Sequence, residues 1–280
     1  MTVLIVGRSG FLGAELARQG RSAGLETAAT FHSHPGESTG VSWHRLDLRN
    51  PANLREVLDA VSPRAVINAS SGGAEWAVTA EGGMRLAQAA AQRGIKLIHV
   101  SSDAVFSGLR NGPYDETSSP DPVTPYGAAK AAAETAVRLL SAGAVVARTS
   151  LIIGDGRSEH ERLVHALAAG TRDGALYTDD VRCPIHVGDL AAALWELTVS
   201  DRTGVFHLAG PDAVTRHELG ALIAQRDDLD PSLLPTGRRA DSGLPGGLDV
   251  RLDSRATQQK LRTRLRGARE FLSGSSPEQT

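Results

Sequence analysis

The stretch Val3-Leu4-Ile5-Val6-Gly7-Arg8-Ser9-Gly10-Phe11-Leu12-Gly13 decides the fold. Four apolar residues in a row read as a short strand buried on both faces, the kind that parallel sheets use. Glycines follow at 7, 10 and 13, and then a helix pattern with Leu12, Leu16 and Ala17 on one face. In a strand, Gly-rich turn, helix context each glycine has a mechanism. The first permits the tight turn, the second lets backbone N–H groups approach a pyrophosphate, and the third lets helix and strand pack closely. The spacing is GxxGxxG rather than GxGxxG. Gly7, Arg8, Ser9, Gly10, Phe11, Leu12 and Gly13 are therefore the candidate phosphate turn of a dinucleotide site.

Outward from this turn the pattern repeats. Strands are expected near Glu26 to Phe31, Trp43 to Leu48, Ala65 to Ile67, Lys96 to Val100 and Ala144 to Arg148. Helices are expected from Pro51, over Trp76 to Arg93, and from Tyr126 to about Leu140. Pro51 sits well in a first helical turn, where its missing N–H costs nothing. This alternation predicts an α/β chain, a Rossmann-like doubly wound parallel sheet, whose ligand sites lie at the carboxyl ends of the strands. Asp47-Leu48, Ala69-Ser70-Ser71, Ser102 and Ser150 fall at such ends and are candidate cofactor contacts. About 20 residues past the last glycine, an NAD site carries an acid for the ribose 2′-OH. Here the residues are Thr30-Phe31-His32-Ser33-His34, without a carboxylate. Arg8 could reach a 2′-phosphate, and His32 and Ser33 could hydrogen-bond to it. This favours NADP(H) over NAD(H).

Beyond Ser150 the pattern loosens. Helices are expected near Glu159–Ala169, Val187–Leu197, Arg216–Gln225 and Arg255–Leu265, with a short strand at Val205–Leu208. Residues 227–247, rich in Pro, Gly and Asp, read as a mobile loop, and 273–280 as a frayed tail. The expected organisation is a dinucleotide-binding domain over 1–150, to which residues 178–210 return. Residues 151–177 and 211–280 would form a small C-terminal α/β substrate-binding lobe.

Composition narrows the class. Hydrophobic content of 41% and charged content of 22% are ordinary for a globular protein. A formal net charge of −2, with no basic block, does not favour nucleic-acid binding. The lone Cys183 excludes an intrachain disulfide and a Cys-cluster metal site. Asp179-Asp180 lacks further ligand spacing, so no metal is expected. Neither a basic leader nor an apolar run of spanning length appears, so a cytoplasmic protein away from membranes is expected.

The chemistry points to Thr124-Pro125-Tyr126-Gly127-Ala128-Ala129-Lys130. A phenol and an ammonium stand at i and i+4, on one helix face. Of 30 Lys and Arg residues only three are Lys, and only three residues are Tyr. A chain that uses Arg almost everywhere keeps Lys here, a compact point charge rather than a planar fork.

Three stretches in order resemble the extended short-chain dehydrogenase/reductase superfamily. They are Gly7 to Gly13, Ser101-Ser102-Asp103-Ala104-Val105-Phe106-Ser107-Gly108, and the YxxxK motif of Tyr126 to Lys130. The middle stretch is most similar to the dTDP-4-dehydrorhamnose reductase branch, whose motif reads S-T-D-Y-V-F-x-G. Pro184 to Ala191 and Gly204 to Gly210 resemble later pieces of the same group. The chain departs from that branch at Ala104, where Tyr is usual, at Asp180 to Ile185, and at Thr79, which stands where Asn is usual.

The resemblance implies a catalytic set of Ser102, Tyr126 and Lys130 acting on a nucleotide-linked sugar. It implies substrate contacts from Ser102, Asp103, Val105, Phe106, Tyr126 and Arg182, and a homodimer through the helices at 76–93 and 126–140. The chemistry of the residues agrees. Reducing a ketone needs a hydride, which a nicotinamide supplies, and a proton, which a phenol can donate. A nearby ammonium is expected to lower the phenol's pKa, and Ser102 to polarise the carbonyl. Two other readings stay open: a sugar-nucleotide epimerase or dehydratase retaining NAD, and a non-catalytic NADP-binding regulatory subunit.

Overall fold

The alternation of apolar runs and amphipathic stretches becomes a seven-stranded sheet in a computed structural model that describes residues 1–7, 9–35 and 41–273. Its strands are β1 (Val3–Val6), β2 (Thr27–Phe31), β3 (Ser42–Arg45), β4 (Ala65–Asn68), β5 (Lys96–Ser102), β6 (Val145–Thr149) and, at the edge, Gly204–Leu208. All neighbours pair in parallel, in the order 3-2-1-4-5-6 followed by the late strand. The order reverses between β1 and β4. A crevice opens there at the strands' carboxyl ends, as expected of a doubly wound sheet.

The strands alternate between two buried layers, which is why they read as continuous apolar runs. Val3 and Ile5 pack with Leu12, Leu16 and Trp195. Leu4 and Val6 pack with Leu54, Leu58 and Leu86 on the other face. The first layer carries helix α1 (Phe11–Ser22), and the second carries α2 (Pro51–Val61), α3 (Gly82–Gln92) and α4 (Pro125–Leu140).

After β6 come β7 (Ile152–Ile153), α5 (Glu159–Ala168), β8 (Leu176–Tyr177), β9 (Val181–Arg182), β10 (Ile185–His186), α6 (Val187–Val199) and the late sheet strand, β11. They are followed by β12 (Val214–Thr215), α7 (Arg216–Arg226), β13 (Thr236–Gly237), α8 (Arg255–Gln258) and α9 (Ala268–Leu272). The residues Leu151, Val164, Leu167, Leu219, Ile223 and Leu272 form a separate apolar cluster beside the strand ends. Among the described residues no helix is long and apolar enough to cross a membrane.

Four elements differ from the sequence expectation. The third strand ends at Arg45, because the Asp47 N–H donates to the Asn53 side chain and the chain turns into the Asn50 cap of α2. The helix expected over 76–93 is present, but its first part, Ala77–Glu81, is wound as a π-turn that runs into α3 at Gly82, where a side chain would strike Leu48 Cβ at 2.8 Å. Such π-turns cluster near functional sites. The helix expected over 255–265 stops at Gln258, whose amide donates to the Thr263 carbonyl and accepts from the Leu265 N–H. The expected loop 227–247 carries β13, which pairs with β8, and two 3-10 turns, Pro231–Leu233 and Arg239–Asp241. Of the expected tail, residues 274–280 lie outside the described residues.

Candidate active site

Strand β5 ends at Ser102, whose hydroxyl caps the 3-10 turn Asp103–Val105 by accepting from the Ala104 N–H at 3.2 Å. Helix α4 then returns over this turn. The Thr124 hydroxyl accepts from the Gly127 N–H at 3.0 Å, and Pro125 fills the first helical position, so Tyr126 stands in the first turn. Gly127 is required by close approach: a Cβ there would overlap the Ala104 carbonyl oxygen. Because helix backbone meets turn backbone here, the Tyr126 phenol is brought to Ser102. Asp103 is buried beneath them and accepts from Ser102 at 3.2 Å and from Ser150 at 2.7 Å. It thus ties the ends of β5 and β6 together and fixes the Ser102 hydroxyl.

Lys130 follows one turn after Tyr126 but points inward. Its side chain is buried, and Nζ donates to the Val100 carbonyl at 3.0 Å and the Ser70 carbonyl at 3.4 Å. Burial depresses its pKa from 10.5 to about 8, with the Glu134 carboxylate acting the other way. At neutral pH it is still an ammonium. The expectation that it lowers the phenol's pKa is not met in this structure. Burial dominates at Tyr126 and pushes its pKa up, while hydrogen bonding from Ser102 and Ser71 acts downward and the Asp103 charge acts upward. The phenol is therefore held protonated near neutrality. His99, fully enclosed behind this site, is held neutral with a pKa of about 3, mainly by burial, and it accepts from Asn68 Nδ2 at 3.2 Å. Asn68 Oδ1 in turn accepts from the Ser70 hydroxyl at 2.6 Å, so a buried polar chain sets the loop that Lys130 touches.

Two clefts meet at the sheet's switch point. One, of about 420 Å³, is lined by Gly7, Ser9, Gly10, His32, Asp47, Leu48, Ala69, Ser70 and Ser71. The other, of about 780 Å³, is lined by Ser9, Gly10, Phe11, Leu12, Ser71, Ser102, Asp103, Tyr126 and Ser150. They share Ser9, Gly10 and Ser71, the mouth of α1. Gly7 makes that mouth possible: its φ is +87°, and a Cβ would lie 2.8 Å from the Ser70 backbone. A long dinucleotide fits such a pair of clefts, with its phosphates over the α1 N-terminus and one end at Tyr126.

Most of the residues expected from the sequence therefore converge, but several do not. Val105 and Phe106, expected at the substrate, are buried in a core cluster with Tyr114 and Val250. Phe106 stacks on Tyr114 at 4.1 Å, because the turn after Ser102 drives the next two apolar side chains inward. Arg182 is a strut rather than an open fork. Nη1 meets Asp180 at 2.6 Å, the guanidinium donates to the Val181, Gly247 and Leu248 carbonyls, and Nε lies 3.7 Å from Asp103. Gly13 is buried on α1 and lines neither cleft. Ser33 lies outside them and meets His32 Nδ1 at 3.2 Å. Arg8 is outside the described residues.

Sequence reading missed two groups. Arg49 lines the first cleft and lies against Asp47, Glu75 and His32. The second group surrounds Asp180, fully buried, on which Arg182, Arg216 and Arg239 converge at 2.6, 3.4 and 3.4 Å. Arg216 also meets His160 at 3.2 Å. A cavity of about 250 Å³, lined by Arg216, Arg239, Tyr177 and His160, adjoins the Tyr126 cleft through His160. Nothing in spacing marks these residues, because Arg is the chain's default cation.

A parallel sheet with a glycine turn at its switch point, and a Ser-Tyr-Lys set at the neighbouring strand end, defines a nucleotide-dependent α/β enzyme of the extended short-chain dehydrogenase/reductase kind. The chain belongs to the RmlD substrate binding domain family, whose pattern it matches over residues 1–272. It is similar to a probable low-salt glycan biosynthesis reductase, Agl14, of Haloferax volcanii, at 30% identity over 88% of this chain and 86% of that one. It is 31% identical to a dTDP-4-dehydrorhamnose reductase of Mycobacterium tuberculosis over 82% of this chain and 76% of that one. The fold matches a dTDP-4-dehydrorhamnose reductase of Bacillus anthracis, solved in complex with NADP, with a TM-score of 0.80 at 20% identity, covering 97% and 96% of the two chains.

Proposed function

We propose that this chain is an NADPH-dependent reductase of a carbonyl on a nucleotide-linked sugar, with a 4-keto-6-deoxy sugar as the substrate class. The observation that carries the reading is the placement of the Tyr126 phenol beside Ser102 at the point where the dinucleotide crevice opens into a second cleft. The relatives named for reduction of such sugars, and the NADP complex of the fold neighbour, support the same class.

The nicotinamide, when bound, supplies the hydride to the carbonyl carbon. Everything else falls to the chain's own groups. Ser102 lines the cleft with Tyr126; its one hydroxyl hydrogen, directed to Asp103 here, turns to the carbonyl oxygen when substrate enters, while Ser150 keeps hold of Asp103. Tyr126 delivers its phenolic proton to the developing alkoxide. A phenol whose pKa is raised by burial is in the protonation state that reduction requires. Lys130, one helical turn from Tyr126, donates to the Ser70 and Val100 carbonyls and so fixes the end of β5 and the loop after β4, against which a cofactor would lie. The Arg216–Arg239 cavity, with more guanidinium than Asp180 can neutralise, suits the diphosphate of the substrate.

The test is NADPH oxidation with a panel of dTDP- and UDP-linked 4-keto sugars. One of them should be turned over, and Tyr126→Phe should lower turnover by about 10²–10⁴-fold with cofactor affinity intact. Turnover in Tyr126→Phe close to that of the wild type would sink the assignment. A protein that binds NADPH but reduces none of the panel would point to a different substrate class.

A further inference from the structure

The adenosine end of the crevice carries a cation that no motif marks. Strand β2 ends at Phe31, and the residues 30–34 at its end carry no carboxylate; the acid that faces His32, Asp47 at 3.8 Å, comes from the turn after β3. Instead the Arg49 side chain, arriving from the far side of Asp47, reaches across the cleft mouth. Nη2 lies 3.2 Å from His32 Nε2, immediately past the end of β2. Nε and Nη2 fork Asp47 at 2.9 Å each, and Nη1 lies 3.3 Å from Glu75.

The guanidinium is thus already parked at the strand end, against two carboxylates and one ring nitrogen of His32, and it is about half exposed. A dianionic phosphate placed beside His32 would offer this planar fork a denser charge than either carboxylate. Little movement would be needed, because one nitrogen is in place and the rest of the fork turns about the Arg49 stem.

We propose that Arg49, with His32 beside it, is the residue that recognises the 2′-phosphate of the cofactor and so sets the preference for NADP(H). The inference rests on the reductase reading only for the presence of a dinucleotide. The competing account is that Arg49 merely neutralises Asp47 and supports the adenine side of the cleft, in which case its loss would weaken adenosine ligands with and without the extra phosphate alike.

Calorimetric titration of the full chain with adenosine 2′,5′-bisphosphate and with 5′-AMP separates these accounts without any turnover. The wild type should bind the bisphosphate about tenfold or more tightly than 5′-AMP, the scale of one charge-assisted contact. Arg49→Gln should erase most of that advantage while changing 5′-AMP affinity by less than about threefold. Arg49→Lys, a point charge without the fork, should retain part of it. Equal losses for both ligands in Arg49→Gln, or an undiminished preference for the bisphosphate, would overturn the role of Arg49 and leave the cofactor assignment standing. A wild type that shows no preference for the bisphosphate would overturn both.

Discussion

Glu134 and Arg148 form an ion pair closed off from solvent, with Arg148 Nη2 2.8 Å from Glu134 Oε2 and both side chains at most 2% exposed. Glu134 stands one turn beyond Lys130 on α4, so the face that carries Tyr126 and Lys130 continues into this pair. Arg148 also donates to the Ser118 carbonyl at 3.1 Å and lies over the Phe106 ring at 5.0 Å. The pair locks α4 to β6 and to the loop after Ser102. Glu134→Gln is expected to cost about 3–5 kcal/mol of folding stability, because it leaves a buried guanidinium without a counter-charge. Replacing both, Glu134→Gln with Arg148→Met, should cost clearly less than the sum of the two single changes. Urea unfolding of the four proteins measures this, and simple additivity would show that the pair acts as two independent side chains.

Lys130 should make the protein less stable than it could be, as groups held for function commonly do, if it has the role proposed above. Its folded pKa of about 8 lies below the ordinary 10.5. Between those values the unfolded chain binds more protons than the folded one, so this group's contribution to stability rises as pH climbs from about 8 to 10.5. Below 8 the penalty is fully present and amounts to about 3 kcal/mol. Lys130→Met should therefore lose turnover yet unfold at equal or higher denaturant concentration at pH 7. Its advantage over the wild type should shrink above pH 8. An advantage that grows with pH, or a mutant destabilised at pH 7, would contradict this account.

The glycine turn allows two similar changes with opposite readouts. Gly7 has a left-handed φ of +87°, and an added methyl would meet the Ser70 backbone at 2.8 Å. Gly10 has φ −79°, and its added methyl would meet only the Gly7 carbonyl, at 3.4 Å. Gly7→Ala should lower stability by about 2 kcal/mol or more, since strain and overlap add. Gly10→Ala should fold with a near-normal Tm, yet bind dinucleotide far more weakly, because the methyl occupies space over the α1 N-terminus. Thermal melts with and without NADP⁺ separate the two. Ligand-induced stabilisation retained in Gly10→Ala would show that no phosphate approaches that backbone.

The sheet and helix α4 were legible in the sequence because local signals carry them. Apolar runs mark strands buried on both faces, glycines mark the turn at α1, and Thr124-Pro125 marks the start of α4. Where the sequence misled, tertiary contacts had overridden a local pattern. Leu48 packs at Gly82, where the π-wound start of the long helix passes into α3, and Gln258 ends α8 by capping backbone groups of the segment that should have continued it. Val105 and Phe106 share a motif with Ser102, but adjacency in sequence says nothing of direction, and the 3-10 turn sends them into the core. Arg49, Arg216 and Arg239 were invisible for a compositional reason. In a chain with Arg at nearly every basic position, only spatial convergence distinguishes one guanidinium from another. Glu134 was within reach, since it repeats the i+4 step from Lys130.

Arg216 and Asp180 lead to the last expectation. Arg216 is half-buried, its pKa lowered chiefly by burial, and it meets His160, itself held neutral with a pKa of about 4 mainly by burial. The surrounding carboxylate, Asp180, is already met by Arg182 at 2.6 Å, so Arg216 is not needed to neutralise it. Its positive charge is available to an anion entering past His160 from the Tyr126 cleft. Arg216→Gln should weaken binding of free dTDP about 10- to 100-fold, the scale of one or two charged hydrogen bonds lost. KM for the nucleotide sugar should rise in step, whereas kcat at saturation should stay within about threefold, since the contact is made equally in ground and transition states. The difference between wild type and mutant should narrow in high salt as phosphate contacts are screened. Inhibition constants for dTDP together with full saturation curves decide the matter. A fall in kcat at unchanged KM would move Arg216 out of the substrate's phosphate site and into the support of the Asp103–Ser102 geometry, to which Asp180 is linked through Arg182.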